Sequence, residues 1–324
     1  MRRARELAAT VRATTSPNPW VGSVVQPGGF EGATHPPGGP HAEVVALEAA
    51  GESARGATLF ATLEPCVHTG RTSPCVDRIV DAGISRVVVG IEDPDQRVRG
   101  AGIRALRAAG VTVDVGVCAD EVRAQLAPYI KHRSTGRPWV VLKLAATLDG
   151  RIAGPDGSSR WITGEAARAD AHRLRAESDA VIVGAGTVRA DDPLLTVRDV
   201  PGSVPERNSG RDPLRVVLGK APEGARVHPA LELTGDLEDV LDELGRRGVL
   251  QAMVEGGATV AGEFHRAGLV DRYVLYLAPA LFGGDDARPL FAGPGAPTIA
   301  DVWRGRIVSV QRLCDDLRVE CSPA

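Results

Sequence analysis

The sequence has 324 residues and a formal net charge of −3. Because a single hydrophobic core stops growing at roughly 250–300 residues, this length favours two domains. The hydrophobic share of 43% and the charged share of 24% are typical of globular proteins. The net charge is negative, and no stretch of the sequence is rich enough in Lys and Arg to bind DNA or RNA. A nucleic-acid partner is therefore not expected.

The sequence predicts neither a signal peptide nor a membrane-spanning segment. The basic start over residues 1–5 is not followed by an apolar run of signal-peptide length. No run of about 20 apolar residues is present, which predicts that no segment spans a membrane. Five cysteines, an odd number, are scattered along the chain and fit a reducing compartment better than a disulfide framework. We therefore expect a cytoplasmic protein.

The first half of the chain alternates between helical and extended patterns. Helices are predicted over residues 2–14, 41–50, 74–81, 101–109 and 119–131, and strands over 20–25, 58–62, 86–91 and 111–115. This alternation predicts a layered α/β domain with helices on the faces of a sheet. The polar stretch 132–138 marks the expected boundary and divides the chain into domains at 1–136 and 137–324.

A histidine, a glutamate and two cysteines form the most informative pattern of this half. His41 and Glu43 are two residues apart, Cys66 follows a proline 25 residues after His41, and Cys75 comes nine residues later. The pattern H-x-E…P-C-x-x-C is the signature of zinc nucleobase deaminases, in which one His and two Cys hold the metal and the Glu moves protons. The sequence therefore predicts Zn²⁺ on His41, Cys66 and Cys75, with Glu43 as the catalytic proton carrier. The two cysteines are farther apart here than in that signature.

Each of these residues alone has a simpler interpretation. His41 could cap a helix, and the cysteines could be small buried apolar residues. The combined spacing favours a metal site over that interpretation. His68, between the two cysteines, could be a rival ligand, but Cys75 already completes the set, and a role in substrate binding or plain solvation is favoured for His68.

The second half has its own α/β pattern. Helices are predicted over residues 165–176, 237–244, 259–267 and from about residue 186, and strands over 139–145, 180–183, 214–218, 250–254, 272–277, 307–313 and 317–321. The last two strands predict a hairpin, and residues 199–212 predict an exposed loop. Glycines at two strand-to-helix junctions, 184–186 and 256–257, would let backbone N–H groups approach a phosphate. Either junction alone could be a tight turn, but two in one domain favour a dinucleotide.

The deaminase signature extends into a specific family resemblance. Residues 18–22 read NPWVG, residues 41–43 read HAE, and residues 62–75 read TLEPCVHTGRTSPC. These motifs resemble the deaminase domain of the bifunctional riboflavin-biosynthesis deaminase/reductase family, and the long gap between the cysteines separates that family from cytidine deaminases. The resemblance implies a cytidine-deaminase-like α/β/α fold and substrate contacts at Asn18, His68 and Arg71.

The resemblance covers the second half too. Residues 143–150 read KLAATLDG, residues 159–163 read SRWIT, and residues 186–196 read GTVRADDPLLT. They resemble the reductase domain of the same family, which implies a dihydrofolate-reductase-like α/β fold and NADPH as cofactor. The cofactor contacts implied are Ala145, Trp161, Thr187, Asp191, Gly257, Ala258 and Thr259. The substrate contacts implied are Ser159, Arg175, Leu195, Arg198 and Glu255, of which the arginines suit a phosphate.

The function implied has two steps. The first domain would hydrolyse the amine from 2,5-diamino-6-ribosylamino-4(3H)-pyrimidinone 5′-phosphate, and the second would reduce the ribosyl group with NADPH to give 5-amino-6-(5-phosphoribitylamino)uracil. The partner expected is thus a small phosphorylated pyrimidine, and the family suggests a homo-oligomer. Two alternatives stay open: the same chemistry on a related pyrimidine in another pathway, and a non-catalytic zinc- or nucleotide-binding regulator.

Overall fold

The computed structural model describes residues 1–67, 74–96, 98–198, 212–255 and 257–324. The chain divides into two compact units, Met1–Gly136 and Arg137–Ala324. Among the residues described, no helix is both long and apolar enough to cross a membrane.

The first unit is built on a five-stranded sheet. Its strands are β1 (Gly22–Gln26), β2 (Phe30–Ala33), β3 (Thr58–Leu63), β4 (Arg86–Ile91) and β5 (Thr112–Val115), in the order β2-β1-β3-β4-β5. Its helices are α1 (Arg2–Thr10), α2 (Arg12–Thr15), α3 (Ala42–Ala50), α4 (Cys75–Asp81), α5 (Ala101–Ala108), α6 (Ala119–Gln125) and α7 (Ala127–Thr135). Strands β3, β4 and β5 are parallel, and β1 is antiparallel to both of its neighbours.

Buried side chains of the parallel strands pack against the helices and fix the layers of this unit. Leu59 of β3 and Val87 of β4 are fully buried in one core cluster with Ile79 of α4 and Leu106 of α5. A parallel sheet needs its helices to cover it, because its strands are apolar on both faces. This packing brings the carboxyl ends of β3 and β4 to the same edge of the sheet, and the segments that follow both strands line the first candidate site.

The second unit is built on an eight-stranded sheet. Its order is β10-β9-β8-β11-β6-β12-β15-β14, from β6 (Trp139–Thr147), β8 (Ala180–Gly184), β9 (Leu214–Leu218), β10 (Leu231–Leu233), β11 (Gln251–Val254), β12 (Arg272–Ala278), β14 (Gly305–Leu313) and β15 (Asp316–Pro323). A separate pair joins β7 (Arg151–Ala153) to β13 (Arg288–Pro289). The helices are α8 (Glu165–Ala176), α9 (Ala185–Asp191), α10 (Leu237–Arg246) and α11 (Ala258–Arg266).

Two core clusters cover the two faces of this sheet. Ala180 and Ile182 of β8 lie in one cluster, whereas the alternating Val181 and Val183 lie in the other. Successive side chains of a strand point to opposite faces, so each strand supplies both cores. The six strands from β10 to β12 run parallel, and the final hairpin of β14 and β15 adds antiparallel strands at one edge.

Most of the predicted elements are present, and the differences have local causes. Two predicted helices are each divided in the structure. Residues 2–14 form α1, which ends at Thr10, and α2, which begins at Arg12, and residues 119–131 form α6, which ends at Gln125, and α7, which begins at Ala127. Pro128 has no N–H to donate to the preceding turn, so it suits the first turn of a new helix rather than a helix interior. The short strands β7, β10 and β13 were not predicted, since two or three residues carry no readable periodicity. The predicted loop over 199–212 lies, but for its last residue, outside the described residues.

Candidate active sites

Three ligand-type side chains meet at the carboxyl edge of the first sheet. His41 immediately precedes α3, Cys66 follows β3, and Cys75 opens α4. The His41 Nδ1 atom lies 3.3 Å from the Cys75 sulfur and 3.6 Å from the Cys66 sulfur. The ligand atoms of all three residues lie within 4.8 Å of one another, and they form the one such cluster of His, Cys, Asp and Glu found among the described residues.

The geometry of this cluster fits a tetrahedral zinc ion. Zn–S bonds of about 2.3 Å and Zn–N bonds of about 2.0 Å place tetrahedral ligand atoms roughly 3.5–3.8 Å apart. The observed N–S separations match that spacing. Three protein ligands with a fourth position left over are typical of catalytic zinc rather than structural zinc. The residues therefore fit the group that the sequence predicts.

Local hydrogen bonds prepare Cys66 to bind a cation. The backbone N–H of Cys75, at the start of α4, donates to the Cys66 sulfur at 3.4 Å. Hydrogen bonding from Cys75, together with that from His41, lowers the pKa of the Cys66 thiol despite its burial. The thiolate is the form that coordinates metals.

Glu43 lies in the first turn of α3 and lines the same cavity as His41 and Cys66. Its side chain is buried. Burial raises the pKa of Glu43 to about 7, and a cation bound at the neighbouring ligands would oppose that shift. A carboxyl group so placed is of the general acid–base type.

The cavity beside the cluster has a volume of about 120 Å³. The predicted substrate contact Asn18 lines it, whereas the predicted contacts His68 and Arg71 lie outside the described residues. The cavity also contains polar side chains to which sequence reasoning gave no role: Thr34, Asp93, Asp95, Tyr129 and Arg133.

Four of these groups, Asp93, Asp95, Tyr129 and Arg133, form polar contacts with one another. The Tyr129 hydroxyl donates to the Asp93 carboxylate at 3.1 Å, and Arg133 lies 3.7 Å from the Asp95 carboxylate. Burial raises the pKa of Asp93. The motif EDPD at residues 92–95, which follows β4, also resembles the family's pattern, so the sequence carried a signal for Asp93 and Asp95. The sequence gave no signal for Tyr129, which lies in the predicted helix 119–131, or for Arg133, which lies in the polar stretch 132–138.

A much larger cavity, of about 920 Å³, lies in the second unit. It is lined by every predicted cofactor contact, namely Ala145, Trp161, Thr187, Asp191, Gly257, Ala258 and Thr259, and by the predicted substrate contacts Ser159 and Glu255. The two glycine-containing junctions meet there, because the Gly257 N–H donates to the Thr187 hydroxyl at 3.0 Å. This volume suits an extended ligand.

A smaller cavity of about 470 Å³ shares part of that lining. The predicted substrate contacts Arg175, Arg198 and Glu255 line it, together with Lys143 and Tyr276. Leu195, also a predicted substrate contact, is buried in a core cluster. The structure thus brings most of the predicted reductase residues to one pair of cavities.

Trp161 lines both cavities. It is 71% exposed, although large aromatic side chains are usually well covered. The Arg168 guanidinium lies 4.7 Å from its ring centroid, and Arg168 also donates to the Thr163 carbonyl at 2.7 Å. An indole held in this way offers an open face against which a planar ligand can stack.

Arg175 and Glu255 form a buried ion pair with two hydrogen bonds. Arg175 Nε and Nη2 donate to the two carboxylate oxygens of Glu255 at 2.8 and 3.0 Å, and Nη1 donates to the Thr196 carbonyl at 2.6 Å. Lys143 lies 3.8 Å from the same carboxylate. A substrate phosphate at Arg175 would therefore have to share the guanidinium with Glu255 and Thr196.

The neighbouring cations decide the charge of Glu255. Burial by itself would raise its pKa, but Arg175 and Lys143 more than offset burial, so that the pKa of Glu255 lies below its ordinary value. The carboxylate is ionised in the folded protein at neutral pH. It can hold Lys143 at the wall that the two cavities share.

Comparisons with known proteins identify the family. Residues 138–319 match the family model described as RibD C-terminal domain, and residues 1–91 match the cytidine and deoxycytidylate deaminase zinc-binding region. The riboflavin biosynthesis protein RibD of Escherichia coli is 38% identical over 98% of this chain and 96% of its own length. The chain belongs to the RibD family. RibD of Mycobacterium tuberculosis is 43% identical over 95% of this chain and 91% of its own length.

Solved structures of RibD proteins agree over the whole chain. RibD of Acinetobacter baumannii, form 1, is 37% identical with a TM-score of 0.93 over 100% of this chain and 97% of that one. A diaminohydroxyphosphoribosylaminopyrimidine deaminase/5-amino-6-(5-phosphoribosylamino)uracil reductase from Thermotoga maritima is 34% identical, with a TM-score of 0.86 and the same coverage. The predicted family, the two-part α/β fold class and the predicted cofactors, zinc and NADPH, are confirmed.

Replacing one zinc ligand tests the metal centre. In Cys66→Ala, two protein ligands remain, and we expect the zinc content of the purified full-length chain to fall from about one ion per chain to near zero. Metal analysis by mass spectrometry measures it. Cys314→Ala, which removes an exposed cysteine, should keep its zinc. Retention of zinc by Cys66→Ala would exclude Cys66 as a ligand.

Removing Arg175 tests the buried ion pair. We expect Arg175→Ala to lower the free energy of unfolding by about 3–5 kcal/mol at pH 7, because it leaves a buried carboxylate with one partner fewer. A carboxylate with a lowered folded-state pKa stabilises the fold above its unfolded-state pKa, and that stabilisation is lost as the pH falls through the folded-state value. In Arg175→Ala burial raises the pKa of Glu255 instead, so the deficit relative to the parent should shrink between pH 7 and pH 5.

Denaturant titrations at the two pH values measure this deficit. The control is Arg312→Ala, which breaks the exposed pair with Asp315 and should change stability by less than about 0.5 kcal/mol at either pH. If Arg175→Ala lowered the stability equally at both pH values, Arg175 would not be the group that keeps Glu255 ionised.

Proposed function

We propose that this RibD-family enzyme catalyses two consecutive steps of riboflavin biosynthesis. Residues 1–136 would deaminate 2,5-diamino-6-ribosylamino-4(3H)-pyrimidinone 5′-phosphate. Residues 137–324 would then reduce the ribosyl chain to give 5-amino-6-(5-phosphoribitylamino)uracil. The observation that carries this proposal is the presence, in one chain, of a His41–Cys66–Cys75 cluster beside Glu43 and of a large cavity lined by the predicted NADPH contacts.

In the first step, His41, Cys66 and Cys75 would hold the zinc, which when bound activates water for attack on the amine-bearing ring carbon. A carboxylate oxygen of Glu43 would take the proton of the attacking water and deliver it to the departing amine. Burial of Glu43 keeps this proton from bulk solvent. Asn18, which also lines the cavity, would contact the pyrimidine, and His68 and Arg71 complete the proposed substrate contacts.

In the second step, NADPH supplies a hydride when bound, and the protein orients it against the ribosyl carbon. The cofactor would lie along the cavity lined by Ala145, Trp161, Thr187, Asp191, Gly257, Ala258 and Thr259. Its phosphates would approach the backbone at the junction where the Gly257 N–H meets Thr187.

The substrate of the second step would occupy the adjoining smaller cavity, where Arg198 suits its phosphate. Ser159, Arg175, Leu195 and Glu255 are the other substrate contacts proposed. Lys143 lines both cavities and lies 3.8 Å from the Glu255 carboxylate, and Lys143, Asp191 and Glu255 are the candidate proton donors of the reduction.

Further properties belong to the same proposal. The substrate is a small molecule rather than a nucleic acid, which the net charge of −3 supports. The enzyme acts in the cytoplasm and self-associates. A purely regulatory zinc protein is disfavoured, because a structural zinc site has no use for a buried glutamate next to three ligands and usually has a fourth protein ligand.

Replacing Glu43 tests the assignment of roles. We expect Glu43→Gln to bind zinc normally and to lose deamination of the diaminopyrimidine phosphate by about 10²–10⁴-fold, because the amide cannot carry the proton. NADPH-dependent reduction of the already deaminated pyrimidine should be unchanged. Both rates are followed by chromatography of the products.

The matched control is Glu48→Gln. Glu48 lies on the same helix, but it is exposed and pairs with Arg78 at the surface. This variant should deaminate at the parental rate. A zinc-loaded Glu43→Gln protein that does the same would remove Glu43 from the mechanism.

A further inference from the structure

The carboxylate of Glu64, which is 3% exposed, accepts four backbone hydrogen bonds. Its Oε2 atom accepts from the backbone N–H groups of Asp93 at 3.1 Å and Gly100 at 2.9 Å. Its Oε1 atom accepts from the N–H groups of Gly102 at 2.8 Å and Ile103 at 3.2 Å. An ionised carboxylate offers about four lone-pair positions, so the four donors saturate it.

Glu64 stands at the junction between the zinc ligands and a neighbouring loop. It follows β3 directly, and Cys66 is two residues further on. Its own N–H donates to the Ile91 carbonyl at the end of β4, at 3.1 Å. The start of α5 presses on the same junction, since a Cβ built on Gly102 would lie 2.1 Å from the Pro65 carbonyl oxygen. The segment bearing Cys66 is therefore held directly against Asp93 and the start of α5.

The segment that Glu64 holds forms one wall of the cavity beside the zinc ligands. Asp93, Asp95 and Val98 line that cavity. The Asp93 carboxylate accepts from the Asp95 N–H at 2.9 Å and from the Tyr129 hydroxyl at 3.1 Å, so fixing the Asp93 backbone fixes the whole wall. Glu64 itself forms part of the cavity lining, with its carboxylate turned to the backbone donors.

We propose that Glu64 is a positioning residue of the deamination step. Through its four hydrogen bonds, Glu64 sets the distance and angle between the wall formed by Asp93, Asp95 and Val98, where the pyrimidine ring would bind, and the Cys66 side of the metal centre. The inference rests on the proposed deaminase function of this cavity. Its charge is essential, because only a carboxylate can accept four N–H groups.

Glu64→Gln is the direct test, since it keeps the shape of the side chain. In glutamine, an NH₂ group replaces one of the two carboxylate oxygens. Two backbone N–H groups would then face this NH₂ group, which cannot accept their hydrogen bonds, so we expect the cavity wall to move. We expect kcat/KM for deamination by the full-length, zinc-loaded chain to fall by about 10–100-fold. The loss should appear mainly in kcat, because the zinc ligands and Glu43 stay in place while the bound pyrimidine ring lies at the wrong distance and angle from them.

Three further measurements separate positioning from plain stability. Zinc content and the reductase rate on deaminated pyrimidine should match the parent. Amide hydrogen exchange over residues 93–103 should be faster in Glu64→Gln. The matched control Glu52→Gln changes an exposed glutamate of the same unit and should leave all these quantities at the parental values.

A folded, zinc-loaded Glu64→Gln protein with parental KM and kcat overturns the proposal, whatever its melting temperature. If Glu64→Gln does not fold, Glu64→Asp decides by the same criterion, because it keeps the charge but withdraws the carboxylate by one methylene group. A parental chain that leaves the pyrimidine unchanged would refute the proposed function instead, and exchange over residues 93–103 would still report on the carboxylate.

Discussion

The first site depends on holding three ligand atoms within 4.8 Å of one another, from segments up to 34 residues apart in sequence. The fold achieves this by placing the end of β3 beside the starts of α3 and α4, where backbone N–H groups favour a thiolate. The same crowding buries Glu43. Much of the first unit serves this geometry: the parallel strands bring the ends of β3 and β4 together, and Glu64 holds the loop after β4 against the segment that carries Cys66.

The second unit also forms its cavities at a parallel sheet. Its cavities are lined by the second half of β6 and by residues that end or follow β8 and β11, and the glycine junctions are in contact through Thr187. The charged groups of the second unit are arranged differently from those of the first. An ionised Glu255 is buried between Arg175 and Lys143, and this arrangement keeps a cation at the wall between the two cavities. The two units thus share a principle, chemistry at the carboxyl ends of parallel strands, while they hold different cofactors.

The sequence was most informative where chemistry and spacing coincide. His41, Cys66 and Cys75 could be predicted because few folds need those residue types at that spacing, and their predicted proximity is what the structure has. The partners of Arg175 could not be predicted, since Glu255 is 80 residues away in sequence and a lone arginine in a helix looks solvated. The same holds for Glu64, because its hydrogen-bond partners are backbone N–H groups, which no pattern of side chains reveals. The division of residues 119–131 into two helices could have been read from Pro128.

The central claim is that one chain performs a hydrolysis and then a reduction on the same pyrimidine. Incubation of the purified zinc-loaded chain with the diaminopyrimidine phosphate, with and without NADPH, followed by mass measurement of the products, tests it most directly. Without NADPH, the account predicts a mass gain of about one unit, as an amine gives way to a carbonyl oxygen. With NADPH, a further gain of about two units should follow. An unchanged mass without NADPH, or a deaminated product that NADPH leaves unaltered, would contradict it.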